Sequence, residues 1–155
     1  MVLPLHLLKK YQESCSFYST TVSKIQQEVL REFIRGGYFG RHLNKMRGIY
    51  KNKHDFLVGE LKQKNWVENI AGENAGLHVL VQVNTTLTEE EICKKAAECG
   101  IRLMGIREHY IHTPPEGRPV LLLGYGKPDE QEIQKGLEVL ESIITGRNSN
   151  NCKKP

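Results

Sequence analysis

One stretch, from Phe33 to Leu61, constrains the fold of this chain more than any other. From Tyr38 onward it predicts a single long amphipathic helix, because apolar residues recur every three to four positions and form one stripe. The stripe consists of Leu43, Met46, Tyr50, Leu57 and Leu61. Arginine and lysine fill much of the remaining helix surface. We therefore expect this helix to be the spine against which a small sheet packs.

Two shorter helices are expected before the long one. The first is entered at Pro4, where a missing backbone N–H costs nothing, and it ends near Ser14. The second follows a group of hydroxyl residues that can cap its start. Its apolar face is formed by Val22, Ile25, Val29 and Phe33. The glycine pair Gly36 and Gly37 should end the second helix and separate it from the long one.

Strands are expected only in the second half of the chain. The segment GLHVLVQV alternates strictly, which predicts a strand with Val79, Val81 and Val83 on one face. IRLMGIREHY and PVLLLGYG are predicted to be two further extended segments, joined by a loop that contains two prolines. NWVENIAGENAG, before the first strand, is predicted to be a loop.

Two more helices are marked by capping boxes, in which a polar cap residue is followed three positions later by glutamate. Thr88 with Glu91 starts the first of these helices, and Asp129 with Glu132 starts the second. The last helix should bury four residues at helical spacing: Ile133, Leu137, Leu140 and Ile144.

This order of elements predicts an α+β fold, with about three mostly antiparallel strands covered by helices. The last two strands should be antiparallel because a loop, and not a crossover helix, joins them. A chain of 155 residues with 39% hydrophobic residues has enough apolar material for one core. Its asparagine-rich tail, residues 147–155, is expected to be disordered.

Composition argues against several classes of function. No apolar run approaches the length of a membrane-spanning helix, so we expect no membrane partner. The four cysteines are far apart and lack metal-ligand spacing, which predicts free thiols, no metal site and a cytoplasmic location. A net charge of +4 does not by itself indicate nucleic acid. The sequence also lacks a phosphate-binding loop and a nucleophile elbow.

Several short motifs, taken together, resemble one protein family. They are Gln27-x-x-Leu30-x-x-Phe33-Ile34, then Gly37, then RHLNKMRGIY, then GLH, then LLGY. This combination resembles the C-terminal part of the MocR-type bacterial transcription regulators of the GntR superfamily. Members of that family join a winged-helix DNA-binding domain to a domain that resembles fold-type I, class I/II aminotransferases. The resemblance runs from about Leu3 to Ile144, and Lys53 stands where the family usually has arginine.

The resemblance implies that this chain is the small, C-terminal domain of the aminotransferase fold, preceded by a long interdomain helix. Residues 1–36 would be helices from the junction of the large and small domains, and residues 37–146 the small domain. The parent protein would form a homodimer and hold pyridoxal phosphate (PLP). It would respond to an amino acid or amine effector and bind DNA through an N-terminal domain that this chain does not contain.

The resemblance also implies that this chain alone is not an enzyme. The lysine that holds PLP in the family lies in a segment resembling SKxxxPGxRxGY, upstream of the part that this chain matches. Ser23-Lys24 lacks the following Pro-Gly-x-Arg run, so we interpret Lys24 as a lysine at a helix start. PLP chemistry needs that lysine and an anchor for the ring nitrogen. No catalytic or cofactor-binding residue, and no PLP bound to this chain alone, is therefore expected.

The small domain of this fold supplies an arginine that binds the substrate's carboxylate, because a guanidinium can donate two parallel hydrogen bonds. Arg107, in GIREHY, best matches the position used by GABA-sensing members of the family. Arg118, in GRPVLLLGYG, stands where aspartate aminotransferases have theirs. Arg107 is the preferred candidate and Arg118 the alternative. The structural alternative for both is an ordinary solvated loop arginine.

Two other functions remain open from the sequence. The chain could be a fragment of a true class I/II aminotransferase that has no DNA-binding domain. It could also be a stand-alone α+β domain that binds a protein or RNA. The long cationic helix would permit RNA binding, but Tyr50 and Phe56 lie on or near its apolar stripe and are not interleaved with the charges.

Overall fold

The computed structural model describes residues 3–15, 22–73, 76–112 and 116–146. The chain divides into two compact units, Met1–Lys45 and Met46–Pro155, which are described separately. The tail that the sequence predicts to be disordered lies outside the described residues. The predicted domain boundary at residue 36 stays a prediction.

The first unit consists of helices and short connections over its described residues. It contains α1 (Leu5–Cys15), α2 (Lys24–Arg35) and the start of α3 (Tyr38–Lys62). The hydroxyl of Ser23 caps α2 by accepting a hydrogen bond from the backbone N–H of Gln26. Gly37 separates α2 from α3 in a left-handed conformation, with φ of 73°, as the glycine pair predicts. Neither α1 nor α2 contains a buried residue, so their apolar side chains lie on the surface of this unit.

The second unit contains a four-stranded antiparallel sheet in the order β1-β2-β4-β3. The strands are β1 (Val67–Ala71), β2 (His78–Val83), β3 (Met104–Gly105) and β4 (Val120–Gly124). The two central strands, β2 and β4, pair from His78 opposite Gly124 to Gln82 opposite Val120. The predicted α+β class with an antiparallel sheet is confirmed.

The prediction of about three strands is wrong by one. The additional strand, β1, falls in a segment that the sequence predicts to be a loop. It is an edge strand whose pairing with β2 is irregular between Val67 and Asn69. Only Val67 and Ile70 are half-buried, so the segment has no strict alternation to reveal it. The second extended segment is also shorter than predicted, because β3 gives way to a 3-10 turn, η1 (Arg107–His109).

Helices cover one face of this sheet. The end of α3 packs there with α4 (Glu89–Glu98) and α5 (Glu130–Thr145). The buried face of the sheet is formed by Val79, Val81, Val83, Leu121 and Leu123. The four residues predicted to be buried in the last helix are all buried, and both predicted capping boxes are present.

The predicted apolar stripe of α3 is buried only toward the end of the helix. Leu57 and Leu61 belong to the core, and Tyr50 packs against it while half-buried. Leu43, in the first unit, is 37% exposed. Lys53 ties this helix to the turn between β4 and α5, since its ammonium donates to the carbonyls of Gly126 and Lys127, each at 3.3 Å.

The structure also allows a search for helices that could cross a membrane. Within the described ranges, no helix has the length and apolarity needed to cross a membrane.

Cys15 and Cys93 are free thiols, whereas Cys99 is disulfide-bonded. The prediction of a free thiol is therefore wrong for Cys99, because sequence spacing does not show which side chains the fold brings within bonding distance.

Leu61 is fully buried in α3, and this makes it a test of the core. Leu61→Ala should lower the free energy of unfolding by about 2–5 kcal/mol, because it removes apolar contacts and leaves a cavity. Ile49→Ala is the matched control in the same helix, since Ile49 is 38% exposed. The control should change stability by no more than about 0.5 kcal/mol. Urea denaturation followed by circular dichroism measures both, and equal losses would contradict this packing.

Candidate functional site

A cavity of about 930 Å³ opens where the start of α4 faces the residues that follow β3 and precede β4. Its lining comes from residues 85–90, 107–108 and 117–119. Cavities of this size are typical of small-molecule sites. Both candidate arginines, Arg107 and Arg118, belong to the lining. The structure thus brings together two side chains that the sequence offered only as alternatives.

Arg107 is the first residue of η1, which begins one residue after β3 ends. Its Nη2 donates to the carbonyl oxygen of Gly117 at 3.2 Å, and its Nε lies 3.7 Å from Oε1 of Glu89. The side chain is 44% exposed. The guanidinium is therefore oriented by contacts to two other parts of the cavity wall while part of its surface faces solvent.

The side chain of Glu89 connects the segments that form this wall of the cavity. It is only 6% exposed, although it is charged. Its Oε2 accepts the backbone N–H of Arg107 at 2.9 Å, and its Oε1 accepts the backbone N–H of Val120 at 2.9 Å. Each oxygen of one carboxylate thus binds a different segment, which ties α4 to η1 and to β4. Hydrogen bonds to an ionised acceptor are about twice as strong as neutral ones.

Gly105 makes room for the Glu89 carboxylate. A Cβ at position 105 would lie 2.8 Å from the Cβ of Glu89 and would also overlap its Oε2. Any larger residue would therefore displace the carboxylate from its two N–H partners. The sequence does not reveal this pair, because a single glycine in an extended segment and one glutamate among three carry no distinguishing signal.

Arg118 is held more loosely than Arg107. Its Nη1 lies 3.0 Å from Oε2 of Glu68, which is on the edge strand β1. The two side chains are 47% and 39% exposed. An ion pair this exposed contributes only about 0–1 kcal/mol, so it fixes the position of Arg118 weakly.

Cys93, in α4, is affected by burial and by two nearby carboxylates. Burial raises the pKa of the Cys93 thiol, and the carboxylates of Glu108 and Glu89 raise that pKa further. A thiol with a raised pKa stays protonated at neutral pH, so Cys93 is a poor candidate for a nucleophile. No group of three or more potential metal-ligating side chains occurs within the described ranges.

The residues of this cavity do not fit PLP. The cofactor requires a lysine amine, and no lysine is found among the described residues of the lining. Lys24, which the sequence indicates to be a lysine at a helix start, is the first residue of α2 and directly follows the capping residue Ser23. It lies in the first unit. The cavity instead offers the oriented guanidinium of Arg107 for an anion.

Comparison with known proteins places these features in a family context. No protein-family model matches the chain. Two uncharacterized HTH-type transcriptional regulators of Bacillus subtilis (strain 168), YdeL and YhdI, are 35% and 33% identical to it over 144 residues. The chain is homologous to HTH-type transcription regulators. The probable rhizopine catabolism regulatory protein MocR of Rhizobium meliloti is a further homologue, 25% identical over 146 residues. The predicted resemblance to MocR-type regulators is confirmed.

These matches cover nearly all of this chain but only part of each HTH-type regulator. YdeL and YhdI match 92% of the chain, and the chain spans 30% of the length of each. For MocR the corresponding shares are 93% and 29%. The homology to these regulators therefore concerns a region of about one third of their length.

Solved structures show the fold of that region. A multiple substrate aminotransferase from Thermococcus profundus superposes with a TM-score of 0.76 at 18% identity, covering 92% of this chain and 35% of its own. LysN, the alpha-aminoadipate aminotransferase from Thermus thermophilus, gives a TM-score of 0.75 at 19% identity, covering 94% and 37%. This chain, a homologue of MocR-type regulators, thus has an aminotransferase-like fold.

The double acceptor role of Glu89 predicts a specific loss on substitution. Glu89→Gln leaves one acceptor oxygen, so its amide N–H₂ group must face either the Arg107 or the Val120 backbone N–H. We expect a loss of about 2–3 kcal/mol in unfolding free energy, because a buried donor loses its partner. Glu90→Gln, at the exposed neighbouring position, is the control and should change it by less than about 0.5 kcal/mol.

Chemical denaturation measures the stability of both glutamate variants. Amide hydrogen exchange at Arg107 and Val120 supplies a local readout, and it should accelerate only in Glu89→Gln. Equal stability and equal exchange in the two variants would show that the Glu89 contacts are not needed.

Proposed function

We propose that this chain is the C-terminal portion of the aminotransferase-like, effector-sensing domain of a DNA-binding transcription regulator. The observation that carries the proposal is homology to HTH-type regulators across 92% of the chain. The aminotransferase-like fold of the same region supports an effector-binding role. The chain spans about 30% of the length of these regulators, so the DNA-binding domain, PLP and the effector belong to the longer protein in this proposal.

In this proposal the cavity at Arg107 binds the carboxylate of an amino-acid effector. Arg107 is the better candidate because its guanidinium is already oriented by Gly117 and Glu89. An oriented guanidinium loses less rotational freedom when it binds a carboxylate than one on a mobile side chain. Arg118 is the alternative, and its exposed pairing with Glu68 supports a weaker, exchangeable role.

In the longer protein, this proposal gives PLP and Arg107 separate roles. Bound PLP would supply the electron sink for an amine or amino acid, and its lysine would come from outside this chain. Arg107 would bind and orient the carboxylate of the effector. We propose a cytoplasmic homodimer in which effector binding changes the arrangement of the domains. In isolation this chain would not be an enzyme.

A fragment of a true class I/II aminotransferase is the second candidate. It is favoured by the solved structures, which are aminotransferases, although an identity of 18–19% supports the fold alone. The two candidate functions predict different coding sequences upstream of this chain. A winged-helix segment there would favour the regulator, and its absence together with transaminase activity of the longer protein would favour the enzyme.

The role of Arg107 is tested in the longer protein by amino-acid titration, followed by PLP absorbance. Arg107→Gln should weaken binding of an amino acid by about tenfold to a hundredfold, the loss expected for a charge-assisted hydrogen-bonded pair. The corresponding amine, which has no carboxylate, should bind equally well to both proteins. Arg118→Gln tests the alternative and should weaken amino-acid binding much less than Arg107→Gln does.

Two results would contradict this assignment of Arg107. An equal loss for the amino acid and the amine in Arg107→Gln would indicate structural damage instead of a lost carboxylate contact. A selective loss of the amino acid in Arg118→Gln would transfer the role to Arg118.

A further inference from the structure

A second cavity in the second unit, of about 410 Å³, shares no lining residue with the arginine cavity. It opens between α5 and residues 100–103, the segment that joins α4 to β3. Its inner wall belongs to the hydrophobic core, where the lining residues are only 2–7% exposed. These are Leu57, Leu123, Ile133, Leu137 and Leu140. The cavity is therefore an opening into the core.

Gly136 keeps this cavity open. It lies within α5 on the same face as Ile133 and Leu140, three and four residues away, and it lines the cavity with them. A glycine inside a helix is less stable than alanine by about 1 kcal/mol. Packing does not require it here, since a Cβ at this position would meet nothing within 4 Å. The missing side chain instead leaves space beside the apolar wall.

The rim of the cavity is positively charged. Arg102 and Lys127 are both exposed lining residues, and neither side chain has a hydrogen-bond or ion-pair partner within the described ranges. Glu132 is the acidic residue of the lining, and its Oε2 accepts the backbone N–H of Asp129 at 2.9 Å in the cap of α5. Two cationic groups thus stand beside an apolar wall, and the carboxylate of the described lining, that of Glu132, already accepts a hydrogen bond.

We propose that this second cavity binds a small amphipathic carboxylate. Its hydrocarbon part would lie against the wall formed by Leu123, Ile133 and Leu137, so that the apolar surface of the ligand itself leaves water. Its carboxylate would lie beside Arg102 and Lys127. A volume of about 410 Å³ is within the range of small-molecule sites. The site is separate from the Arg107 cavity, so the proposal does not depend on the effector assignment.

The first test compares octanoate with 1-octanol, which has the same chain length but no charge. Each is titrated into the 155-residue chain, and the methyl groups of Leu123, Ile133 and Leu137 are followed by NMR. Octanoate should give saturable shifts at these methyls and bind about fivefold more tightly than octanol at low salt, a difference typical of exposed charge pairs. Absence of saturable shifts there, or their appearance elsewhere, would overturn the proposal.

Variants at the rim isolate the contribution of charge. Arg102→Gln with Lys127→Gln should remove the preference for octanoate and leave octanol binding unchanged. Lys51→Gln, at an exposed position of α3 outside the cavity lining, is the matched control and should keep the preference. A preference that survives in the rim double variant would show that these cations do not bind the carboxylate.

Variants at Gly136 isolate the contribution of the open space. Gly136→Leu should fill it and weaken both ligands at least about tenfold, with helix content by circular dichroism unchanged. Gly136→Ala, which adds a single methyl group, serves as the folding control. Unchanged affinity in a folded Gly136→Leu would overturn the proposal. If Gly136→Leu does not fold, the rim double variant decides the question.

Discussion

The buried carboxylate of Glu89 is the contact on which the arginine cavity depends. Each of its oxygens accepts one backbone N–H, from Arg107 and from Val120, so three segments distant in sequence are held by one side chain. Burial of a charge is tolerated only when it is paired and hydrogen-bonded. Gly105 supplies the space that this arrangement needs. The Arg107 guanidinium is oriented by its own side-chain contacts, with the Gly117 carbonyl and with Oε1 of Glu89.

Elements with strong patterns could be predicted from the sequence, and elements with weak ones could not. Ile133, Leu137 and Leu140 recur at helical spacing and are buried, as predicted. The alternation of β2 likewise predicted its buried face. The edge strand β1 was missed because it has only two half-buried residues and irregular pairing. Periodicity marked the stripe of α3, but it could not show that only residues near the end of the helix are fully buried.

Some residues of the candidate site could likewise be predicted from the sequence, and others could not. Arg107 and Arg118 were named through a family resemblance, and the structure adds that both line one cavity. Glu89 could not be predicted, because three consecutive glutamates follow the cap of α4 and all of them suit the positive end of a helix dipole. The buried one, Glu89, lies against Gly105, and this tertiary contact is not visible in the sequence. Homology to regulators and an aminotransferase-like fold then limit what such a cavity can do.

The most direct test of the proposed division of labour is reaction of the 155-residue chain with PLP, followed by borohydride and mapping of the modified peptides. If the cofactor lysine belongs to another part of the longer protein, labelling should be weak and spread over exposed lysines. A stoichiometric adduct at one lysine, Lys24 above all, would contradict the proposal. It would place the cofactor site within this chain.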